Sequence, residues 1–251
     1  MLHNSLNSRK IRLFAFAYAG GSSNIFNSWK KQLHPDIELI PVELPGHGSR
    51  MSEPLLERME QVIESAWQDM QAHLQDDREF AFIGHSMGSM LAFEMIHKVH
   101  RETGRYPICS FFAGRVPPHI SRDHQWGALP DDQFMEKVRT LGGLPDAVLE
   151  HEELLQLFLP ILRADFRLVE DYRYDGQYPS LPLPIFVMTG EQDNRTNEDI
   201  QGWSSYSAVS CRYFTYPDGH FFINTCVDQV IRDVNNTFAE IINSRSTLHR
   251  S

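Results

Sequence analysis

Cysteine is scarce in this chain: Cys109, Cys211 and Cys226 are three among 251 residues. An odd count at wide spacing, with no CxxC pair, provides neither a disulfide framework nor a thiolate metal site. All three are expected to be reduced thiols. Cys109 lies inside the apolar run Ile108 to Ala113 and reads as part of a strand interior rather than as a nucleophile. Long apolar runs are absent too. None reaches the roughly 18 residues needed to span a bilayer, and the opening MLHNSLNSRK has no apolar segment of the kind that leads a secreted protein. A cytoplasmic protein with no membrane association is therefore expected. Nor is there an excess of positive charge. With 33 acidic residues against 23 Lys and Arg, the net charge of −10 argues against general binding to nucleic acid.

What is present is an alternation of short apolar runs with longer helix-period segments. The runs are Ile11–Phe16, Ile37–Val42, Phe80–Gly84, Ile108–Ala113, Ile185–Thr189 and Cys211–Phe214, as expected of an α/β fold whose mostly parallel sheet carries crossover helices on both faces. Apolar residues from Leu55 through Met59, Val62, Ile63, Ala66 and Met70 to Leu74 step by threes and fours, predicting a helix packed on that sheet. Val227, Ile231, Val234, Phe238 and Ile241 predict another near the C-terminus. One domain spanning residues 1–251 is the default for this length.

The stretch from about Ile120 to Tyr178 breaks the rhythm. It holds helical patterns around Phe134, Val138 and Leu141 and from Leu154 to Leu162, with no strand between them. It reads as a helical insertion, either a lid or an added layer. The pair Gly142-Gly143 suits a lid that swings, and Phe134, Leu141, Leu155 and Phe158 are candidates for lining a chamber beneath it.

The chemistry centres on Gly84-His85-Ser86-Met87-Gly88, a G-x-S-x-G that follows the Phe80–Gly84 run and precedes the helix-like run Ser89 to Val99. A sharp strand-to-helix turn would present Ser86 as a nucleophile and leave the Met87 N–H free at the helix start to stabilise an oxyanion. A serine hydroxyl needs a base, which in such architectures follows an acid late in the chain. Asp193, just beyond the Ile185–Thr189 run, and His220, in Gly219-His220-Phe221-Phe222, supply that order. Glu191 is the nearest rival acid. The loop Ala17-Tyr18-Ala19-Gly20-Gly21-Ser22 offers a second oxyanion donor, for which Ala19 N–H is nominated. His85 is expected to point away from Ser86. His47 is expected at the surface or supporting the site, and Asp165 on a helix surface or in an internal ion pair. No metal-ligand cluster is evident, and no metal or other cofactor is expected.

Taken together these segments resemble the type II thioesterases that accompany modular polyketide synthases and non-ribosomal peptide synthetases, a branch of the α/β-hydrolases that includes fatty-acid-synthase thioesterases. The resemblance runs through AGGS at Ala19–Ser22, LPGHGSR at Leu44–Arg50, GHSMG at Gly84–Gly88, GRVPP at Gly114–Pro118, LGGLP at Leu141–Pro145, LPILRADF at Leu159–Phe166, GEQD at Gly190–Asp193 and GHFF at Gly219–Phe222. Two positions depart from it: Ala17 where the family usually carries proline, and His47 where its PGR motif has arginine. The resemblance implies an α/β-hydrolase fold. It also implies hydrolysis of acyl or aminoacyl thioesters from the phosphopantetheine arm of acyl or peptidyl carrier proteins, by a stand-alone enzyme. A monomer is expected. The competing readings are a carboxylesterase or lipase acting on free small esters, since a triad does not distinguish the two bonds, and a non-catalytic binding subunit.

Overall fold

The computed structural model describes residues 10–120, 125–142, 150–193 and 197–248. Six strands, β1 (Ile11–Phe16), β2 (Ile37–Val42), β3 (Phe80–His85), β4 (Ser110–Ala113), β5 (Ile185–Gly190) and β6 (Cys211–Tyr216), form one sheet in the order β2-β1-β3-β4-β5-β6. Every neighbouring pair is parallel. Strand β1 is buried at all of its positions, because helices cover both faces of a parallel sheet and leave its central strands no solvent side. Alternate residues feed alternate cores. Phe14, Phe16, Phe80, Phe82 and Phe112 face helices α1 (Met59–Met70) and α2 (Met87–Thr103). Leu13, Ala15, Ala81, Ile83 and Phe111 pack on the opposite side with Val230, Ile231, Val234 and Phe238 of the C-terminal helix.

The chain lays β2 to one side of β1 and every later strand to the other, so the strand order reverses between β1 and β3. Loops leaving the carboxyl ends of strands on either side of such a switch point diverge and leave a crevice. The loop after β1 and the turn after β3 therefore meet, and the loops after β5 and β6 lie at the same edge.

Between β4 and β5 the described residues form a 3₁₀ turn (Trp126–Ala128) and two α-helices, α3 (Asp131–Leu141) and α4 (Glu152–Asp171), and no strand, as the sequence predicts. Helix α4 divides at Pro160. Before it, Glu152, Glu153, Leu154, Gln156 and Leu157 are exposed; after it, Ile161, Leu162, Ala164, Asp165 and Leu168 are buried. Proline inside a helix removes one backbone hydrogen bond and crowds the preceding turn, and here it falls where the insertion passes from solvent to the body of the domain. Phe134, Met135, Val138 and Leu162 make a separate small core that joins α3 to α4.

The remaining helices follow in chain order as α5 (Asn197–Gln201), α6 (Phe222–Thr225) and α7 (Val227–Leu248). The helix expected from Leu55 is shorter, beginning at Met59 and continuing past Met70 only as a 3₁₀ turn to Leu74. Among the described residues, no helix is long and apolar enough to cross a membrane.

Candidate active site

Ser86 stands where β3 turns into α2, at φ +55°, the only positive φ of a non-glycine residue among those described. A conformation this costly persists only when its surroundings impose it. Here the Ser86 N–H donates to Ala113 O at 2.7 Å, and the Ser89 hydroxyl lies 2.7 Å from Gly84 O and 2.9 Å from Ala113 O. The flanking glycines are required by space. A Cβ on Gly84 would fall 2.0 Å from Gly88 O, and one on Gly88 would fall 2.2 Å from Phe16 O. The G-x-S-x-G spacing thus encodes a backbone crossing, and Ser86 is its apex.

His220 follows β6, with Nε2 3.0 Å from Ser86 Oγ and Nδ1 2.8 Å from Asp193 Oδ2. Both the imidazole and the carboxylate are largely buried, at 12% and 8% side-chain exposure. An ionised carboxylate can only accept, so Nδ1 carries the proton and the Nε2 lone pair faces the serine hydroxyl. Asp193 is presented by the turn after β5, and the Gln192 N–H donates to Asp218 O at 2.9 Å, tying the acid loop to the histidine loop. Glu191 is exposed and is held only through its backbone N–H to Tyr216 O. The structure therefore brings Ser86, Asp193 and His220 together and leaves the rival acid outside.

The two nominated oxyanion donors flank this group. Ala19 lines the cavity in front of Ser86, and its N–H meets no acceptor among the described residues. Met87 is the first residue of α2, where an N–H has no intrahelical acceptor. Tyr18 braces the loop: its ring packs on Phe221 and His85, and its hydroxyl accepts from Asn224 Nδ2 at 2.9 Å.

The cavity has a volume of about 370 Å³. Ile25, Leu141, Phe158, Leu162 and Phe166 give it apolar walls, and His220 is the only histidine among the residues lining it. Of the four predicted lining residues, Leu141 and Phe158 reach it. Phe134 and Leu155 do not, because they pack within the insertion, with Phe134 fully buried. Gly142 lines the rim, while Gly143 lies outside the described residues. A second cavity, about 630 Å³, opens between α1, α2 and the end of α4, is lined mainly by charged side chains and tyrosines, and contains neither Ser86 nor His220.

His85 is fully buried behind His220, against Tyr18, Phe221 and Phe222. Burial, reinforced by the neighbouring His220, pushes its pKa well below the ordinary histidine value, so it stays neutral. Cys109 is also fully buried, and burial pushes its thiol pKa up, which removes it from contention as a nucleophile. Among the described residues, no group of three or more His, Cys, Asp or Glu side chains is arranged to hold a metal ion.

His47 and Asp165 prove to be partners, separated by 118 positions in sequence and both buried, at 5% and 2% side-chain exposure. Asp165 Oδ2 faces His47 Nε2 at 3.0 Å and accepts the Gly20 N–H at 2.7 Å. The helix of the insertion thus holds the loop that carries Ala19. A signal for this was available: Asp165 falls on the same helical stripe as Ile161, Leu162 and Leu168, where a lone charge demands a partner. What the sequence could not supply was which partner.

The sequence matches the family described as "Thioesterase domain" over residues 11–238. It is 33% identical to the gramicidin S biosynthesis protein GrsT of Aneurinibacillus migulanus over 88% of this chain and 86% of that protein. The crystal structure of ClbQ from the colibactin NRPS/PKS pathway superposes with a TM-score of 0.90 at 31% identity, over 94% of this chain and 99% of that one. YbtT, the type II thioesterase from the yersiniabactin NRPS/PKS biosynthetic pathway, superposes with a TM-score of 0.82 at 26% identity, over 94% and 95%.

Proposed function

The chain belongs to the thioesterase domain family, and on that premise we propose that it is a stand-alone type II thioesterase of polyketide or non-ribosomal peptide synthesis. Its substrates are acyl or aminoacyl thioesters on the phosphopantetheine arm of carrier proteins, and its role is to clear arms that carry the wrong group. The observation that carries the mechanism is the continuous hydrogen-bonded line from Asp193 through His220 to Ser86 at the floor of an apolar cavity.

Ser86 Oγ attacks the thioester carbonyl carbon while His220 Nε2 takes its proton. Negative charge gathers on the carbonyl oxygen and is met by the N–H groups of Ala19 and Met87. Collapse expels the pantetheine sulfur, which receives the proton from His220, leaving an acyl ester on Ser86. Water then enters, His220 takes a proton from it, and the second collapse returns that proton to Ser86 and frees the acid. Asp193 remains ionised throughout and fixes the imidazole tautomer. Apolar walls suit an acyl chain, and the insertion above them limits the water that reaches it.

The test is a panel of carrier proteins loaded with different acyl groups, together with simple esters of the same acids. Release from the carriers by the wild type, with none by Ser86→Ala, is the expected result. Faster turnover of the free esters than of the carrier-bound groups would instead support a carboxylesterase.

A further inference from the structure

His47 is placed between two acceptors. Its Nδ1 lies 3.0 Å from the carbonyl oxygen of Pro45, which cannot donate, and its Nε2 lies 3.0 Å from a carboxylate oxygen of Asp165. Satisfying both contacts with Asp165 ionised requires a proton on each ring nitrogen, so the arrangement calls for an imidazolium. The same Asp165 oxygen accepts the Gly20 N–H at 2.7 Å, one residue beyond the nominated oxyanion donor Ala19, and Asp165 belongs to the buried half of α4. Three separate parts of the chain therefore converge on one carboxylate.

We propose that His47 is a positioning residue whose protonation sets how firmly the loop of Ala19 and Gly20 and the insertion helix α4 are held together through Asp165. The charged groups bearing on His47 are Asp165 on α4 and Glu43 just beyond β2. Glu43 is itself engaged by the Ser23 N–H at 2.9 Å, the Ser23 hydroxyl at 2.7 Å and the Ser49 N–H at 3.2 Å. Burial opposes the imidazolium, but the Asp165 hydrogen bond and charge, the Pro45 carbonyl and Glu43 outweigh it, so the His47 pKa is raised above the ordinary value. A raised folded-state pKa gives stability that is full below the unfolded histidine pKa and is lost as pH rises through the folded one. Above that point neutral His47 keeps its Nε2–H toward the carboxylate and turns a lone pair on the Pro45 carbonyl, and Asp165 remains buried without its cation, which is unfavourable.

The experiment is NMR of the wild-type protein, following the His47 ring nitrogens and the Gly20 amide from about pH 6 to about pH 9, on both sides of neutrality. The expected result is a doubly protonated His47 at neutral pH, with the Gly20 amide shifting at the same midpoint. His47→Arg keeps a cation that does not titrate in this range, so its Gly20 amide shift and its thermal midpoint should be flat where those of the wild type move. A neutral His47 at pH 7 would overturn the proposal even if the variant failed to fold. So would a Gly20 titration that persists unchanged in His47→Arg, since the effect would then come from a group other than His47.

Discussion

Replacing Asp193 by Asn tests the catalytic assignment with almost no change of shape. In the wild type the carboxylate accepts the Nδ1 proton at 2.8 Å, which leaves the Nε2 lone pair 3.0 Å from Ser86 Oγ. An asparagine amide can donate to Nδ1 instead, moving the imidazole proton to Nε2, where it blocks acceptance of the serine proton. The equivalent change in a serine protease lowers kcat by about 10⁴, which corresponds to about 5.4 kcal/mol at about 1.36 kcal/mol per factor of ten. Asp193 is also mostly buried, so water cannot readily restore the lost orientation. The assay is single-turnover release of an acyl group from a carrier protein, with circular dichroism as a check on folding. Glu191→Gln is the control, and its loss should be small because that side chain is exposed and its anchoring hydrogen bond is made by the backbone. A larger loss in Glu191→Gln than in Asp193→Asn would refute the assignment.

Other outcomes follow from the same geometry. A fluorophosphonate should label Ser86 and leave Cys109 untouched, as read by peptide mass spectrometry, because that thiol is fully buried and its pKa is raised. Gly88→Ala would drive a Cβ to within 2.2 Å of Phe16 O, and overpacking of this kind costs about 1–3 kcal/mol or more; calorimetry should show a lower Tm, and an unchanged Tm would mean that the elbow is not close-packed. Hydrogen exchange should divide α4 at Pro160, fast over the exposed first half and slow over Ile161 to Leu168. Protection of the first half on binding a non-hydrolysable acyl-pantetheine mimic marks a moving lid; uniformly slow exchange in the free protein marks a rigid layer.

The strands were legible because a parallel sheet covered on both faces writes itself as short continuous apolar runs, and each predicted run overlaps a strand with ends displaced by two residues or fewer. The elbow was legible because its glycines answer to a steric demand that no other residue meets. Leu55 misled: it is apolar because its side chain packs onto the turn at Gly46, outside the helix that its spacing seemed to extend. Phe134 and Leu155 show a second limit. Periodicity identifies the apolar side of α3 and α4, but whether a residue on that side meets another helix or an open cavity depends on how the two helices dock. The His47–Asp165 pair joins residues 118 positions apart, and a single sequence carries no record of which buried charge meets which.

The most direct measurement is intact-protein mass spectrometry of an acyl-loaded carrier protein mixed with this enzyme and quenched at short times. The acyl mass should leave the carrier, appear transiently on Ser86 and then disappear as free acid, and Ser86→Ala should show neither transfer nor release. Release that continues undiminished in Ser86→Ala, or an acyl adduct on any residue other than Ser86, would contradict this mechanism.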